Sequence, residues 1–232
     1  MEFTEEAIKA GQVLLVDKPL GWSSFQAVNK IKWAIKKRYK LKKIKVGHAG
    51  TLDPLATGLL VICTGKFTKK IPDIQGQVKE YTGTIKLGAT RPSYDMETEI
   101  DQHYPVDHIT EEKLRIAAEK LTGVIAQHPP VFSAIKKDGK RLYELARQGK
   151  DVTTEAREVT IYDFDIDQSQ FPEIAFRVVC SKGTYIRSLA HDLGNLLESG
   201  AYLSSLRRTK IGDFNVDNAE SPDTYAGRIA ES

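Results

Sequence analysis

Residues 47–58 read Gly-His-Ala-Gly-Thr-Leu-Asp-Pro-Leu-Ala-Thr-Gly, and this stretch determines how the rest of the chain is interpreted. Its glycines and its proline predict a loop instead of a regular element. Asp53 is the acid of this loop, and Pro54 favours extended backbone angles at Asp53. An aspartate before a proline often serves only as a turn or capping residue. However, a loop that also carries His48 and two threonines is typical of a functional site. Asp53 is therefore our first candidate catalytic residue.

A strongly basic stretch leads into this loop. Residues 30–45 contain nine lysines and arginines and no acid, whereas the net charge of all 232 residues is +3. Without these nine charges the remaining residues carry a net charge of −6. A slightly acidic body with one basic stretch indicates a polyanionic partner such as nucleic acid. The alternative is a solvated lysine-rich helix and loop without a binding role.

Composition excludes several broad classes of protein. Hydrophobic residues make up 41% of the chain and charged residues 28%. These proportions are typical of a globular domain. The sequence has no apolar run of the ~20 residues that a transmembrane helix needs, and its first residues are acidic, so we expect no membrane span and no secretory signal. Cys63 and Cys180 form no disulfide framework or zinc pattern. We therefore expect a cytoplasmic protein.

Hydrophobic periodicity predicts a mixture of helices and strands. The chain alternates between the two without a regular βαβ rhythm, and this favours an α+β fold with a largely antiparallel sheet and flanking helices. The predicted strands are residues 12–16, 59–64, 78–87, 159–166 and 174–180, the last two as a pair. The predicted helices begin at Ser23 or Ser24, at Thr110 as N-cap, at Lys140 and at Thr184, and the last three end near residues 121, 147 and 197.

Arg187 is the second candidate site residue. It falls in the first turn of the helix predicted from Thr184, where a positive charge opposes the helix dipole. A carboxylate partner would explain an arginine at this position, although it could also be an ordinary surface residue. The glycine-rich segments match no phosphate-binding motif, and the five histidines lack metal-ligand spacing. We therefore expect no metal.

Several ordered blocks of the sequence resemble the TruB family of tRNA pseudouridine synthases. The loop at 47–58 is similar to the signature loop of that family. The other matching blocks are Asp-Lys-Pro-Leu-Gly-Trp-Ser-Ser at 17–24, Lys-Glu-Tyr at 79–81 with Leu-Gly at 87–88, Phe-Ser-Ala-Ile-Lys at 132–136, the block at 139–149, Lys-Gly-Thr-Tyr-Ile-Arg at 182–187 and Leu-Arg-Arg at 206–208. They stand in the order of the family and spread over residues 14–208.

The resemblance implies the pseudouridine synthase fold with a central RNA-binding cleft, and an isomerase that converts uridine 55 in the T-loop of tRNA to pseudouridine without a cofactor. Asp53 matches the catalytic aspartate, which attacks the target nucleotide, and Arg187 matches the arginine that pairs with it. Tyr81 matches the aromatic residue that stacks on the target base, and its hydroxyl is a candidate general base. Without the resemblance, Tyr81 would be a half-buried strand aromatic.

Further site residues follow from the same resemblance. His48 matches the residue that occupies space near the flipped-out base, and Tyr185 and Leu206 match residues that line the uracil pocket. Leu206 could equally serve core packing. Lys18, with the proline that follows it, shapes the pocket wall in this interpretation. Asp95 matches an acid near the site, and we expect it to act as a supporting hydrogen-bond partner.

The resemblance also sets expectations for partners and domains. We expect the T-arm of tRNA as partner, read by shape and backbone, with the basic stretch at 30–45 gripping that backbone. We further expect a monomer and one catalytic domain over residues 1–232, because too few residues follow Arg208 for the C-terminal PUA domain that many members carry. The segment at 88–95 departs from the usual Gly-x-x-Thr-Asp-x-x-Asp by containing Arg91 and Pro92.

Two competing functions remain open on the sequence. The chain could be an RNA-binding and folding helper whose catalysis is secondary, and such a helper would tolerate Asp53→Asn. It could also be another glycosidic-bond enzyme with paired carboxylates. That enzyme would need a second acid near Asp53, and only Asp95 is available for the role.

Overall fold

A computed structural model describes residues 2–133 and 154–232, and between these ranges positions 136–137, 140–142, 144 and 148. The described helices are α1 (Glu5–Ala10), α2 (Ser24–Arg38), α3 (Ile71–Gly76), α4 (Glu111–Lys120), α5 (Ile186–Leu196) and α6 (Pro222–Glu231), with 3₁₀-helices at Gly65–Lys70 and Val216–Asn218. The strands are β1 (Val13–Lys18), β2 (Val46–His48), β3 (Ala56–Thr64), β4 (Lys79–Leu87), β5 (Ala89–Thr90), β6 (Gln102–His103), β7 (Gly123–Gln127), β8 (Lys136–Lys137), β9 (Lys140–Arg141), β10 (Arg157–Asp167), β11 (Glu173–Cys180), β12 (Ala201–Ile211) and β13 (Phe214–Asn215).

The chain separates into two compact units. The first unit consists of Met1–Tyr81 and Arg207–Ser232, and the second of Thr82–Leu206. Strands β4 and β12 therefore contribute residues to both units. Each unit combines antiparallel strands with helices, and the predicted α+β class is confirmed.

The first unit is built on β1, which pairs antiparallel with β3 from Val13 opposite Cys63 to Lys18 opposite Gly58. Helix α2 begins with a capping box, in which the Ser23 hydroxyl accepts from the Gln26 amide and the Gln26 side chain accepts from the Ser23 amide. This confirms the start predicted from the serines. The buried face of α2 packs on α6 and on the apolar side of β1 and β3.

The loop predicted at 47–58 is shorter than expected. Its first two residues belong to β2, which pairs with β3, and its last three residues already belong to β3. Gly58 accounts for the second difference, since it sits in β3 with φ +98° and a Cβ there would lie 2.3 Å from the Arg208 carbonyl oxygen. The irregular part is therefore residues 49–55.

The second unit contains the predicted strand pair. Strand β10 pairs antiparallel with β11 and, on its other edge, with β7. Alternate residues of β11 are buried, which is the period-2 pattern that predicted this strand. Helix α4 begins after Thr110, whose hydroxyl accepts from the Lys113 amide, so this N-cap is confirmed.

Some elements differ from the sequence-based expectation. The predicted helix at 140–147 begins instead with strand β9, whereas positions 142 and 144 are helical as predicted. Positions 143 and 145–147 lie outside the described residues, as does most of the block at 139–149. Strand β12 was not predicted, because its charged residues at 207, 208 and 210 hide the apolar alternation. Helices α1 and α6 were also missed. In the described part of the chain, no helix is both long and apolar enough to cross a bilayer.

Candidate active site

Hydrogen bonds to the residues on either side of Asp53 fix the loop that carries it. The hydroxyl of Ser24, in the first turn of α2, donates to the Leu52 carbonyl at 3.0 Å and accepts from the Leu52 amide at 2.8 Å. On the other side of Asp53, the Gly21 amide donates to the Pro54 carbonyl at 2.8 Å. The half-buried Asp53 is therefore held between two anchored neighbours. Such support on both sides keeps a reacting side chain in one position.

Arg208 connects the start of the same loop to strand β3, which follows the loop. Its Nη2 donates to the Gly50 carbonyl at 3.0 Å, and its Nε donates to the Leu59 carbonyl at 2.8 Å. The side chain is 1% exposed, so these bonds are made away from water. The sequence analysis included Arg208 only as part of a matching block. Its role depends on backbone oxygens about 150 positions away in sequence, which no local pattern reveals.

Lys18 is fully buried beside the Asp53 loop. Its Nζ donates to the Trp22 carbonyl at 2.6 Å and to the Pro19 carbonyl at 3.0 Å. Burial lowers the pKa of Lys18 to about 8, while the nearby Asp53 carboxylate acts to raise this pKa and Arg208 to lower it further. Lys18 and Asp53 therefore interact within the first unit, and the pocket-wall role of Lys18 stays a prediction.

His48 and Tyr81 are the other candidates in the first unit. Burial lowers the pKa of His48, a backbone hydrogen bond at Gly50 partly opposes this, and the Arg208 charge lowers the pKa further. The lowered pKa favours the neutral form of His48 at pH 7. Tyr81 lies in β4 and is 8% exposed. The neighbouring Glu80 is fixed by the Thr209 hydroxyl, which donates to its carboxylate at 2.8 Å.

The second unit holds Arg187 and Asp95 together. Arg187 lies in the first turn of α5, as predicted, and its Nε is 3.6 Å from the Asp95 carboxylate. Both side chains are at most 7% exposed. Arg187 also donates to the carbonyls of Phe132 at 3.0 Å and Ser93 at 3.3 Å. A carboxylate thus offsets the unfavourable position of this arginine, while the expected pairing of Arg187 with Asp53 stays a prediction.

Tyr185 and Leu206 complete the candidates of the second unit. Tyr185 occupies the N-cap position of α5, where its amide donates to the Gln127 side-chain oxygen at 2.8 Å and its carbonyl accepts from the Gln127 nitrogen at 3.1 Å. The Arg157 guanidinium lies 5.6 Å from the Tyr185 ring centre, within the range of a cation–π contact. Leu206 is half-buried in β12. The pocket-lining roles of Tyr185 and Leu206 stay predictions.

The sequence matches two models of one protein family. Residues 36–186 match the N-terminal domain of the TruB family pseudouridylate synthases, and residues 187–223 match the C-terminal domain of tRNA pseudouridylate synthase B. This chain belongs to the TruB family. A Flavobacterium johnsoniae protein named tRNA pseudouridine synthase B is 62% identical over 93% of this chain and 95% of its own length. The Phocaeicola vulgatus protein of the same name is 54% identical over 94% and 92%.

Solved structures resemble this TruB-family chain in fold. A chain from the crystal structure of a Cbf5-Nop10-Gar1 complex superposes with a TM-score of 0.70 and 28% identity over 97% of this chain and 60% of its own. A chain from an H/ACA RNP bound to a substrate RNA containing 2′-deoxyuridine gives a TM-score of 0.65 and 26% identity over 96% and 59%. The present chain thus spans about 60% of the length of these solved chains.

The TruB-family site contains no metal arrangement in the ranges described. No group of three or more His, Cys, Asp or Glu side chains in those ranges could hold an ion. The first unit supplies a half-buried carboxylate on a braced loop, a buried amine that interacts with this carboxylate, and the His48 imidazole in the neighbouring strand β2. Such a set can perform nucleophilic and acid–base chemistry.

Proposed function

We propose that this chain converts uridine 55 in the T-loop of tRNA to pseudouridine. The observation that carries the proposal is Asp53 on a loop fastened by Ser24 and Arg208, in a TruB-family chain that is 62% identical to a tRNA pseudouridine synthase B. The product of this reaction is an isomer of the substrate and contains the same atoms. The bond from ribose C1′ to N1 breaks, a bond from C1′ to C5 forms, C5 loses a proton and N1 gains one. No redox or group-transfer cofactor is required for this balance.

Asp53 is the nucleophile in this proposal, and it attacks the target nucleotide as a carboxylate. A carboxylate can attack only when it is ionised, and positive charge nearby favours the ionised form. Lys18 supports this assignment, because its ammonium group interacts with Asp53 inside the first unit. On the family resemblance, we assign Arg187 as the ion-pair partner of Asp53. The Asp95 carboxylate next to Arg187 then serves to orient that guanidinium.

The target base must leave its stack to reach Asp53. Tyr81 offers an aromatic face on which the base can stack, and its phenol oxygen, once it has given up its own proton, can accept the C5 proton. The lowered pKa of His48 favours the neutral imidazole, which can occupy space beside a neutral uracil without adding charge. Tyr185 and Leu206 line the uracil pocket in this proposal. An aromatic face and an aliphatic wall suit uracil, because this base carries no net charge.

The direct test is tritium release from tRNA transcripts labelled at uridine C5. Wild type should release tritium, because C5 loses its hydrogen when the new bond forms. Asp53→Asn should release none while binding tRNA as wild type does. Asp73→Asn, an exposed aspartate of the same unit, is the matched control and should behave as wild type. Tritium release by Asp53→Asn at the wild-type rate would contradict the nucleophile assignment.

A second experiment tests the position of the target. Transcripts in which uridine 55 is replaced by cytidine should release no tritium, and an isolated T-arm hairpin should still be a substrate. If wild type binds tRNA but no transcript releases tritium, the folding-helper function is favoured. Release from the cytidine-55 transcript would instead place the target at another uridine.

A further inference from the structure

The segment at 88–95, which departs from the family pattern at Arg91 and Pro92, forms a tight turn in the second unit. The Tyr94 amide donates to the Arg91 carbonyl at 2.9 Å, and this bond closes a four-residue turn with Pro92 at its second position. Proline suits that position because its ring fixes φ near the value the turn requires. The Arg91 guanidinium lies 4.7 Å from the Tyr202 ring centre. The two departing residues therefore fix the place of Tyr94.

Tyr94 is held in an unfavourable backbone conformation. Its φ is +63°, a left-handed value that bulky side chains rarely adopt. Its carbonyl accepts from the Leu203 amide at 2.9 Å, so both backbone groups of Tyr94 are bonded. Such strain persists only where the surrounding structure enforces it, and it is typical of functional sites. Glycine or asparagine would adopt this conformation more readily, so a tyrosine at this position indicates that its ring is used.

The ring of Tyr94 stacks on the imidazole of His191 in helix α5. The ring centres are 3.9 Å apart and the ring planes differ by 12°. The Nδ1 atom of His191 is buried and makes no hydrogen bond with any residue that the structure describes. The imidazole is therefore held by the stack and not by a hydrogen bond at this nitrogen. A stacked aromatic pair favours one relative position of the two segments that carry the rings.

This stack lies one helical turn from Arg187. His191 follows Arg187 by four residues in α5, so the two side chains are neighbours on one face of the helix. The residues on either side of Tyr94 both contact Arg187. Its Nη1 donates to the Ser93 carbonyl at 3.3 Å, and its Nε is 3.6 Å from the Asp95 carboxylate. Three consecutive residues of the turn thus contact two consecutive turns of α5, and a shift of the turn along the helix would disturb the stack and the ion pair together.

We propose that Tyr94 and His191 form a stacking clamp that positions Arg187, by holding Asp95 against it, for the reaction. The inference rests on the proposed function, because that function assigns Arg187 as the partner of Asp53. Tyr94 is then a positioning residue, whose ring acts through Arg187 and contacts no part of the RNA. Its loss should therefore lower kcat and kcat/KM by the same factor, as expected for an interaction that serves only the transition state.

The test separates the ring of Tyr94 from its backbone conformation. Tyr94→Asn removes the ring but tolerates the left-handed backbone, whereas Tyr94→Phe keeps a ring that can stack. Tyr162→Asn makes the same change at an exposed tyrosine of β10 and is the matched control. Tritium release at varied tRNA concentration gives kcat and KM. We expect Tyr94→Asn to lose about 10- to 100-fold in kcat with KM unchanged, and the other two variants to match wild type.

A second measurement reports the clamp without RNA. Hydrogen exchange at the Arg187 Nε is followed by NMR, since this group lies against Asp95 in a buried site. Loss of one stacked pair should make this exchange roughly 3- to 10-fold faster in Tyr94→Asn, while Tyr94→Phe should exchange as wild type does. Failure of wild type to release tritium would defeat the proposed function, whereas the exchange comparison would still judge the clamp.

Several results would overturn the clamp. A wild-type kcat or wild-type exchange in Tyr94→Asn would show that the stack does not position Arg187. A higher KM at unchanged kcat would instead assign Tyr94 to contact with the RNA, and an equal loss in Tyr94→Phe would assign the effect to the hydroxyl. Thermal unfolding followed by circular dichroism verifies that the variants are folded. If Tyr94→Asn does not fold, His191→Gln and His191→Phe repeat the comparison from the helix, with the loss of kcat expected only in His191→Gln.

Discussion

The Arg208 guanidinium donates from Nη2 to the carbonyl oxygen of Gly50 at 3.0 Å, although the two residues are 158 positions apart in sequence. The same guanidinium also holds the Leu59 carbonyl in β3, so it ties the start of the Asp53 loop to the strand that follows it. Because the side chain is buried, these carbonyls have no water to replace a lost donor. Arg208 is therefore a positioning residue that acts on Asp53 through the backbone.

Replacing Arg208 by lysine should slow the reaction more than it weakens tRNA binding. Lysine keeps the charge but lacks the fork that reaches both carbonyls. A displacement of about 1 Å at a reacting group can cost ~100-fold in rate. We expect kcat to fall by about 100-fold with a much smaller change in KM, measured by tritium release. Leaving one of the two buried carbonyls without a donor should lower the free energy of unfolding by about 1–3 kcal/mol.

The neighbouring Arg207 provides the control for that substitution. Arg207 pairs with Asp17 through two hydrogen bonds of 3.0 and 2.7 Å, and both side chains are at least 35% exposed. Arg207→Lys should change the free energy of unfolding by less than about 1 kcal/mol. A wild-type kcat in Arg208→Lys, with both variants folded, would refute the bracing role.

Lys18 should make stability depend on pH in the alkaline range. The pKa of Lys18 is about 8 in the folded chain against 10.5 in the unfolded chain, so between these values the unfolded chain binds more protons. Stability from this site therefore rises with pH across that window. The free energy of unfolding of wild type and of Lys18→Met is measured in urea from pH 7 to 10. Above pH 8, the value for wild type should rise relative to that of the variant by about 1 kcal/mol per pH unit.

An exposed lysine separates this effect from general alkaline changes. The free energy of unfolding of Lys113→Met should change with pH as that of wild type does from pH 7 to 10, because Lys113 is exposed. If the free energy of unfolding of Lys18→Met also changes with pH as that of wild type does, the pKa of Lys18 is not lowered in the folded chain. A direct titration of the Lys18 amine by NMR gives the same answer if the variant does not fold.

The buried pair of Asp95 and Arg187 should matter far more for stability than an exposed pair. Asp95→Asn removes a negative charge beside a guanidinium that is 6% exposed. Breaking a buried ion pair in this way costs about 3–5 kcal/mol. Asp163→Asn is the control, since Asp163 pairs with Arg177 at 2.6 Å with both side chains at least 40% exposed. It should cost less than about 1 kcal/mol. Equal losses in urea unfolding would contradict the structural role of the buried pair.

Two substitutions divide the proposed roles of Tyr81. Tyr81→Phe keeps the aromatic face and removes the hydroxyl, whereas Tyr81→Leu removes both. If the hydroxyl accepts the C5 proton, Tyr81→Phe should bind tRNA normally and release tritium about 10²–10⁴-fold more slowly. Tyr81→Leu should also bind the target arm more weakly. Normal release by Tyr81→Phe would exclude the hydroxyl as the base and leave stacking as the role of the ring.

Local patterns in the sequence predicted the elements whose signals are local. Ser23 and Thr110 act as N-caps because a hydroxyl next to free helix amides is satisfied within three residues. The paired strands β10 and β11 were found because their side chains alternate. Strand β12 was not predicted because its charged residues pair with partners, such as Asp17, that lie near them only in the folded chain.

The candidate site divides in the same way. The sequence by itself determined the family, the Asp53 loop and the first-turn position of Arg187, because each depends on residue types at fixed spacing. Only the tertiary structure decided that Ser24 fastens Leu52, that Arg208 braces the loop and that Tyr94 stacks on His191. These relationships depend on which backbone groups and side chains come together when strands and helices pack. That packing brings together residues far apart in sequence, so no local pattern encodes it.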